Sequence, residues 1–124
     1  MIKQNRNHLL IVDDDKELLD GLLSSLEQKG YKVSCALNGL EALSIINQYH
    51  IDLILMDYHM PQMDGVEVLK HLRDLDNSVP VIIMTGFGDV STYLIGKELG
   101  IAEFVNKPIR LKHLQRIIKT ILKN

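Results

Sequence analysis

The sequence predicts an α/β domain in which five parallel strands form a central sheet and helices cover both faces. Short apolar runs alternate with longer segments in which apolar residues recur at helical spacing. Runs without polar positions are typical of strands buried on both faces, as in parallel sheets. At 124 residues, 46% of them hydrophobic, the chain has the size and apolar content of one such domain, expected to span residues 1–124.

The first part of the chain carries two strand–helix units. Residues 8–12 are predicted as the first buried strand, and five leucines within 18–26 then mark one face of a helix that ends near Gly30. Residues 31–36 are predicted as the second strand. Asn38 is a suitable N-cap for the second helix, because its side chain can accept a hydrogen bond from the first turn.

The second part continues the same alternation to the end of the chain. Gly96 weakens the fourth helix, at a cost of roughly 1 kcal/mol relative to Ala, unless close packing requires a glycine there. Pro80 stands at the start of the fourth strand, where a missing backbone donor is tolerable. The predicted elements are strands at 52–57, 79–84 and 102–105 and helices around 66–72, 89–99 and 111–122.

Five strand–helix units fit a doubly wound sheet with five helices and the flavodoxin-like strand order 2-1-3-4-5. In such sheets ligands bind beyond the carboxyl ends of the strands. The first, third and fourth strands are neighbours in this order, so Asp13, Asp14, Asp57 and Thr85 are predicted to meet at one edge. The fifth strand leads to Lys107, which is expected at the same edge.

These residue types together favour phosphoryl chemistry. Neighbouring carboxylates repel each other, and Mg²⁺ relieves that repulsion because it prefers oxygen ligands. The ammonium of Lys107 and the hydroxyl of Thr85 can bind the oxygens of a phosphoryl group in transfer. Asp57 is the candidate nucleophile, since a carboxylate can form an aspartyl phosphate. The alternative for Asp57 is a simple cap of the following loop or helix.

From about His8 to the last helix, the chain resembles the receiver domains of two-component response regulators. The segments that carry the resemblance are Ile11–Asp15, Asp57–Gly65, Met84–Gly86 and Lys107–Pro108. They occur in the order that this family requires, which makes the set far more specific than any one of them. The resemblance implies a signalling domain that catalyses only its own phosphorylation and dephosphorylation.

The resemblance also implies a role for each acidic residue. Asp57 would accept a phosphoryl group from the phosphohistidine of a histidine kinase or a phosphotransfer protein. Asp13 and Asp14 would form the acidic pocket that holds Mg²⁺. Asp14, Asp57 and the backbone carbonyl of His59 would be the metal ligands.

Two further residues are implied to respond to phosphorylation. Thr85 would bind a phosphoryl oxygen and shift towards it, while the ring of Phe104 would turn inward. Lys107 would pair with the phosphoryl group or, before transfer, with Asp57, and the Lys107–Pro108 bond would be cis. The face formed by the fourth helix, fifth strand and fifth helix would then change its partners. A buried Phe104 that never moves is the alternative.

Two side chains near the acceptor are candidates for control of the phosphoryl lifetime. His59 could shield the attacking water or hydrogen-bond it, and Phe87 could screen the site. A solvated loop histidine is the alternative for His59. Cys35 is expected to be a packed thiol. The remaining histidines are expected at the surface: His8, His50, His71 and His113.

Composition limits the partners. With 14 basic and 16 acidic residues, the net charge of −2 argues against direct binding of nucleic acid by this domain. The chain has no apolar run of transmembrane length and no signal-peptide pattern, so we expect a cytoplasmic protein without membrane contact. An output domain or partner protein is expected, as is either a monomer or a phosphorylation-dependent homodimer.

Three other functions fit the sequence less well. A phosphohydrolase of the haloacid-dehalogenase type would use the Asp-x-Asp of Asp13–Asp15, but the chain lacks room for the usual cap. A pseudo-receiver would keep the fold without phosphorylation, which the complete set of acidic residues and lysine argues against. A nucleotide-binding fold would need a glycine-rich turn after the first strand, and none is present.

Overall fold

Five strands alternate with five helices over residues 7–86 and 90–123, which are the residues that the structure, a computed structural model, describes. The elements in chain order are β1 (His8–Val12), α1 (Lys16–Gln28), β2 (Lys32–Ala36), α2 (Gly39–Gln48), β3 (Leu53–Asp57), α3 (Gly65–Asp74), β4 (Val81–Thr85), α4 (Val90–Glu98), β5 (Glu103–Asn106) and α5 (Leu111–Leu122). The predicted alternation is confirmed, with boundaries that differ by one or two residues, which is the usual uncertainty at the ends of elements.

The sheet has the order β2-β1-β3-β4-β5, and every neighbouring pair is parallel. The predicted flavodoxin-like order is therefore confirmed. Val12 pairs with Met56, so the residues that follow them, Asp13 and Asp57, lie at the same level of the sheet. The register of the other strands continues this alignment across to β5. The carboxyl ends of four strands thus meet at one edge.

Each face of the sheet carries its own apolar core. One core joins the sheet to α1 and α5, and the other joins it to α2 and α3. In β1, for example, Leu9 and Ile11 face the first core while Leu10 and Val12 face the second. This alternation is what a strand with side chains on both faces requires, and it explains the wholly apolar runs in the sequence.

Among the described residues, three helices begin at polar N-caps that accept hydrogen bonds from their first turns. Asn38 accepts from the backbone N–H of Glu41, which confirms its predicted role. Asp15 caps α1 in the same way, and Asp64 caps α3 in a capping box with Glu67. Asp64 thereby fixes the start of α3, the helix that follows the acceptor strand.

His8 is buried, and its predicted place at the surface is wrong. It is 7% exposed, its Nε2 lies 2.7 Å from Ser34 Oγ, and its ring meets that of Tyr49 edge-on. The reason is its position as the first residue of β1, a strand covered on both faces. Burial and the nearby charge of Lys32 lower the pKa of His8 below its ordinary value.

The guanidinium of Arg73, near the end of α3, binds backbone carbonyls from two other segments. Its Nε donates to Leu99 O at 2.8 Å, and an Nη donates to Gly100 O at 3.3 Å, just beyond α4. The other Nη donates to Asn77 O at 2.8 Å and Val79 O at 3.1 Å, in the loop before β4. One side chain therefore ties α3, the start of β4 and the C-terminal end of α4 together.

Gly96 is buried where α4 packs against β5. A Cβ at this position would lie 2.9 Å from Phe104 Cζ and 3.2 Å from Ile101 Cδ1. Close packing therefore explains the glycine at this position. The half-buried Phe104 also lies 5.0 Å from the ring of Tyr93, between ring centroids.

Candidate functional site

Three acidic side chains form a cluster at the carboxyl ends of β1 and β3. Asp13 is fully buried, Asp57 is 4% exposed and Asp14 is exposed. One carboxylate oxygen from each lies within 4.8 Å of the other two. The cluster follows from the register of β1 and β3, which places the residues that end these strands side by side. The structure thus brings together the three carboxylates that the sequence predicted to meet.

Lys107 reaches into this cluster from the loop after β5. Its Nζ lies 3.0 Å from Asp13 Oδ2 and 3.2 Å from Asp57 Oδ1. Its backbone N–H donates to Thr85 O at 2.8 Å, so the lysine is fixed to the end of β4. The Lys107–Pro108 bond is cis, as the resemblance implied.

Burial and neighbouring charges together set the pKa values of Asp57 and Lys107. Burial and the nearby Asp13 raise the pKa of Asp57, against the opposing effects of Lys107 and a hydrogen bond from the backbone N–H of His59. Burial alone would lower the pKa of Lys107, but its hydrogen bonds and charge interactions with Asp13 and Asp57 raise it above its ordinary value. Three carboxyl groups thus face one ammonium, which leaves negative charge for a further cation to neutralise.

The donor set of the cluster fits Mg²⁺. All three candidate ligands, Asp13, Asp14 and Asp57, are carboxylates, the hard oxygen donors that this ion prefers. Asp14 is exposed, so the cluster opens to solvent on one side and can admit the waters that Mg²⁺ keeps. Asp15 does not share this role, because its Oδ1 caps α1 by accepting from the backbone N–H of Leu18 at 3.3 Å.

Thr85 and Phe104 lie on the neighbouring strands β4 and β5. Thr85 ends β4, is 5% exposed and pairs in register with Asn106, the residue before Lys107. Phe104 lies two residues before Asn106 and contacts α4 through Gly96 and Tyr93. The structure therefore places Thr85 at the edge that holds the acidic cluster, and Phe104 against α4.

The loop after Asp57 forms the outer wall of the site. His59 is exposed, and its ring meets that of Tyr58 edge-on at 4.6 Å between centroids. An open groove beside Asp14 is lined by this histidine and by Pro61 and Asp64, among others. His59 is thus at the entrance to the cluster. Its proposed carbonyl ligation of a metal stays a prediction, and Phe87 lies outside the described residues.

Gly65 supports the acceptor in a way that the sequence reasoning missed. A Cβ on this residue would lie 2.7 Å from Asp57 O and 3.2 Å from Tyr58 Cα. Its backbone N–H also donates to Tyr58 O at 2.9 Å. The first residue of α3 therefore packs directly on the backbone that carries Asp57. In the sequence, Gly65 could be read only as a turn residue.

Comparison with known proteins agrees with this geometry. The sequence profile of the response regulator receiver domain matches residues 9–119. The chain is 41% identical over 123 residues to the probable transcriptional regulator ycf27 of Cyanidium caldarium, covering 98% of this chain and 49% of that protein. It is 42% identical over 115 residues to the transcriptional regulatory protein CpxR homolog of Haemophilus influenzae, covering 93% and 50%. The chain spans about half the length of these two relatives.

Solved structures give the same result. A CheY-like response regulator receiver domain protein from Methanospirillum hungatei superposes with a TM-score of 0.91 at 30% identity, covering 96% of this chain and 95% of the other. A two-component response regulator from Clostridium difficile gives a TM-score of 0.90 at 28% identity, covering 96% and 98%. Within the described residues, none of the helices is both long and apolar enough to cross a membrane.

Proposed function

Because this chain belongs to the response regulator receiver domain family of two-component signalling, we propose that it is a phosphoacceptor whose acceptor is Asp57. A histidine kinase or phosphotransfer protein is the donor. The observation that carries the proposal is the buried Asp57 carboxylate, held 3.2 Å from Lys107 Nζ within a cluster of three carboxyl groups.

The transfer step uses the Asp57 carboxylate as the nucleophile. One of its oxygens forms a bond to phosphorus, the phosphorus–nitrogen bond of the phosphohistidine breaks, and the imidazole keeps the electron pair and takes a proton. When bound by Asp13, Asp14, Asp57 and the His59 carbonyl, Mg²⁺ supplies positive charge for the phosphoryl oxygens. Lys107 supplies a second positive charge, because its ammonium already lies between Asp13 and Asp57.

We further propose that Thr85 and Phe104 respond to the modification. The Thr85 hydroxyl binds a phosphoryl oxygen and moves towards it, and Phe104 follows by turning inward. Two contacts support these roles. Thr85 O accepts a hydrogen bond from the backbone N–H of Lys107, which links Thr85 to the acidic cluster, and Phe104 packs on Gly96, which links its ring to α4. The surface formed by α4, β5 and α5 then changes its affinity for a partner.

The descriptions and lengths of the relatives support a proposal about what this domain controls. Two of them are described as transcriptional regulators and are about twice as long as this chain. We propose that residues 1–124 form one receiver domain that controls an output domain or a partner protein in the cytoplasm. The domain itself does not contact nucleic acid, and it is a monomer or a phosphorylation-dependent homodimer.

Acetyl phosphate tests the proposal directly. The purified chain is incubated with acetyl phosphate and Mg²⁺, and its intact mass is measured. We expect one added phosphoryl group on the unmodified sequence, none on Asp57→Asn, and none when EDTA removes the metal. Asp74→Asn is the matched control, because Asp74 is exposed at the far end of α3.

Each other outcome points to a different function. An Asp57→Asn protein that still gains the phosphoryl group at the normal rate would refute the assignment of the acceptor. A folded protein that gains none under any condition would be a pseudo-receiver. Steady hydrolysis of small phosphate esters without a stable added mass would instead indicate a phosphohydrolase.

A further inference from the structure

The loop between β3 and α3 contains a tight backbone turn beside the acidic cluster. The backbone N–H of Met63 donates to Pro61 O at 2.8 Å, and Gln62 between them has a φ of 71°. A hydrogen bond across a single residue with positive φ is the rarer form of the γ-turn, which is strained for a residue with a side chain. Because strained backbone persists only where surrounding contacts hold it, this turn needs support from outside the loop.

Helix α2 supplies that support through Gly39, its first residue. A Cβ on Gly39 would lie 3.0 Å from Met63 Sδ, 3.3 Å from Met63 Cβ and 2.7 Å from Val68 Cγ2 of α3. The Met63 side chain is half-buried and packs on the core that α2 and α3 share. The loop and the start of α2 are therefore too close together to admit even one methyl group.

The start of α2 is itself held in place by hydrogen bonds. Asn38 accepts from the backbone N–H of Glu41 at 2.9 Å, and Glu41 Oε1 accepts from the backbone N–H of Leu37 at 3.1 Å. Gly39 is buried and does not have a positive φ, so its backbone conformation does not require a glycine. The close approach of the Met63 side chain is what favours a residue without a Cβ here.

The other side of the same loop faces the acidic cluster. The backbone N–H of His59 donates a hydrogen bond to the carboxylate of Asp57. His59 and Gln62 also line the groove beside Asp14. Mg²⁺ demands near-ideal octahedral geometry with ligands at about 2.0–2.1 Å, so even a small displacement of this loop should weaken metal binding. The loop thus contacts α2 through Met63 and the site through His59.

We propose that Gly39 is a positioning residue for phosphoryl transfer. The absence of a side chain on Gly39 lets Met63 pack against α2, and this contact sets the position of the His59 backbone beside Asp57. Gly39 acts through the loop and not by direct contact with the reacting groups. The inference rests on the function proposed for Asp57, and it adds α2 to the elements that shape the site.

A purely structural role for Gly39 predicts a different result. In that case Gly39→Ala would destabilise the core by overpacking but would leave metal binding by the folded protein unchanged. Ile51→Val is the matched control, because it removes a methyl group from the same core just before β3, at the end of the sheet opposite to the acidic cluster. Urea denaturation compares the stability of the two variants.

An NMR titration of the isotope-labelled chain with Mg²⁺ measures metal affinity in the folded protein. We expect Gly39→Ala to weaken Mg²⁺ binding about tenfold, as changes to residues that orient metal ligands commonly do, and Ile51→Val to leave it within about twofold. The Mg²⁺ concentration that gives half of the maximal phosphorylation rate with acetyl phosphate should rise by the same factor in Gly39→Ala.

Two substitutions of Met63 test the same contact without altering α2. Met63→Ala removes the atoms that pack against Gly39 and should weaken Mg²⁺ binding about tenfold. Met63→Leu keeps an apolar side chain of similar volume and should bind Mg²⁺ within about twofold of the unmodified chain. These variants also decide the question if Gly39→Ala does not fold.

Equal Mg²⁺ affinity in Gly39→Ala and Ile51→Val would overturn this proposal, as would unchanged affinity in Met63→Ala. In either case, phosphorylation of the unmodified chain on Asp57 would leave the function proposed above intact. An unmodified chain that binds no Mg²⁺ and gains no phosphoryl group would refute both proposals.

Discussion

Replacing Gly65 with Ala tests how closely α3 supports the acceptor. The new Cβ would lie 2.7 Å from Asp57 O and 3.2 Å from Tyr58 Cα. Ordinary contacts of this kind begin near 3.4 Å, so the two segments would have to separate by about 0.7 Å. The opposing atoms belong to the backbone and cannot rotate away. Such overpacking costs about 1–3 kcal/mol.

Gly21 provides the matched control for this substitution. It is exposed within α1, and a Cβ there would meet no atom within 4 Å. Gly21→Ala should therefore raise the free energy of unfolding by up to about 1 kcal/mol, the difference in helix propensity. The two variants should differ by about 1–4 kcal/mol in the free energy of unfolding, the sum of these two effects.

Urea denaturation followed by far-ultraviolet circular dichroism measures both free energies. The rate of phosphorylation by acetyl phosphate is a second readout, because displacement of the Asp57 backbone should slow it in Gly65→Ala but not in Gly21→Ala. If Gly65→Ala proved as stable as Gly21→Ala, the close approach of α3 to Asp57 could not be a constraint on this chain.

Two further predictions use histidines, with the exposed His71 of α3 as the control for both. The pKa of His8 in the folded chain is lower than 6.5, its value in the unfolded chain. Between these two pKa values the unfolded chain binds more protons than the folded chain, so the free energy of unfolding should fall as the pH drops below 6.5 towards the folded pKa. In thermal unfolding scans, His8→Gln should reduce this change of stability with pH, whereas His71→Gln should not affect it. An unchanged pH dependence in His8→Gln would contradict a lowered pKa of His8. His59→Ala should shorten the phosphoryl half-life about threefold to tenfold, equivalent to roughly 1 kcal/mol in the barrier, since the ring stands at the entrance. An unaltered half-life would remove that role.

The sheet and most of the acidic site could be predicted because local patterns determine them. Apolar runs and helical spacing give the element order, and parallel strands bring their carboxyl ends together. Asp13, Asp57 and Lys107 therefore converge as expected, although 94 residues separate the first from the last. Asn38 could be identified as a cap because capping depends on the next three residues alone.

The parts that could not be predicted depend on contacts between distant segments. His8 lies at the start of a strand that is covered on both faces, and the residues that contact its ring, Ser34 and Tyr49, come from other elements. Gly65 approaches Asp57 because α3 returns over the end of β3, which no local pattern reveals. The same holds for Arg73, whose most distant acceptor is 27 residues away. A single arginine in a helix gives no sign of which carbonyls it will bind.

Helix α3 contacts other segments at both of its ends. At its N-terminal end, Gly65 packs closely on the backbone that carries Asp57. Near its C-terminal end, Arg73 donates hydrogen bonds to the carbonyls just beyond α4. A displacement of α3 that begins beside Asp57 would therefore be transmitted to the C-terminal end of α4 through the hydrogen bonds of Arg73.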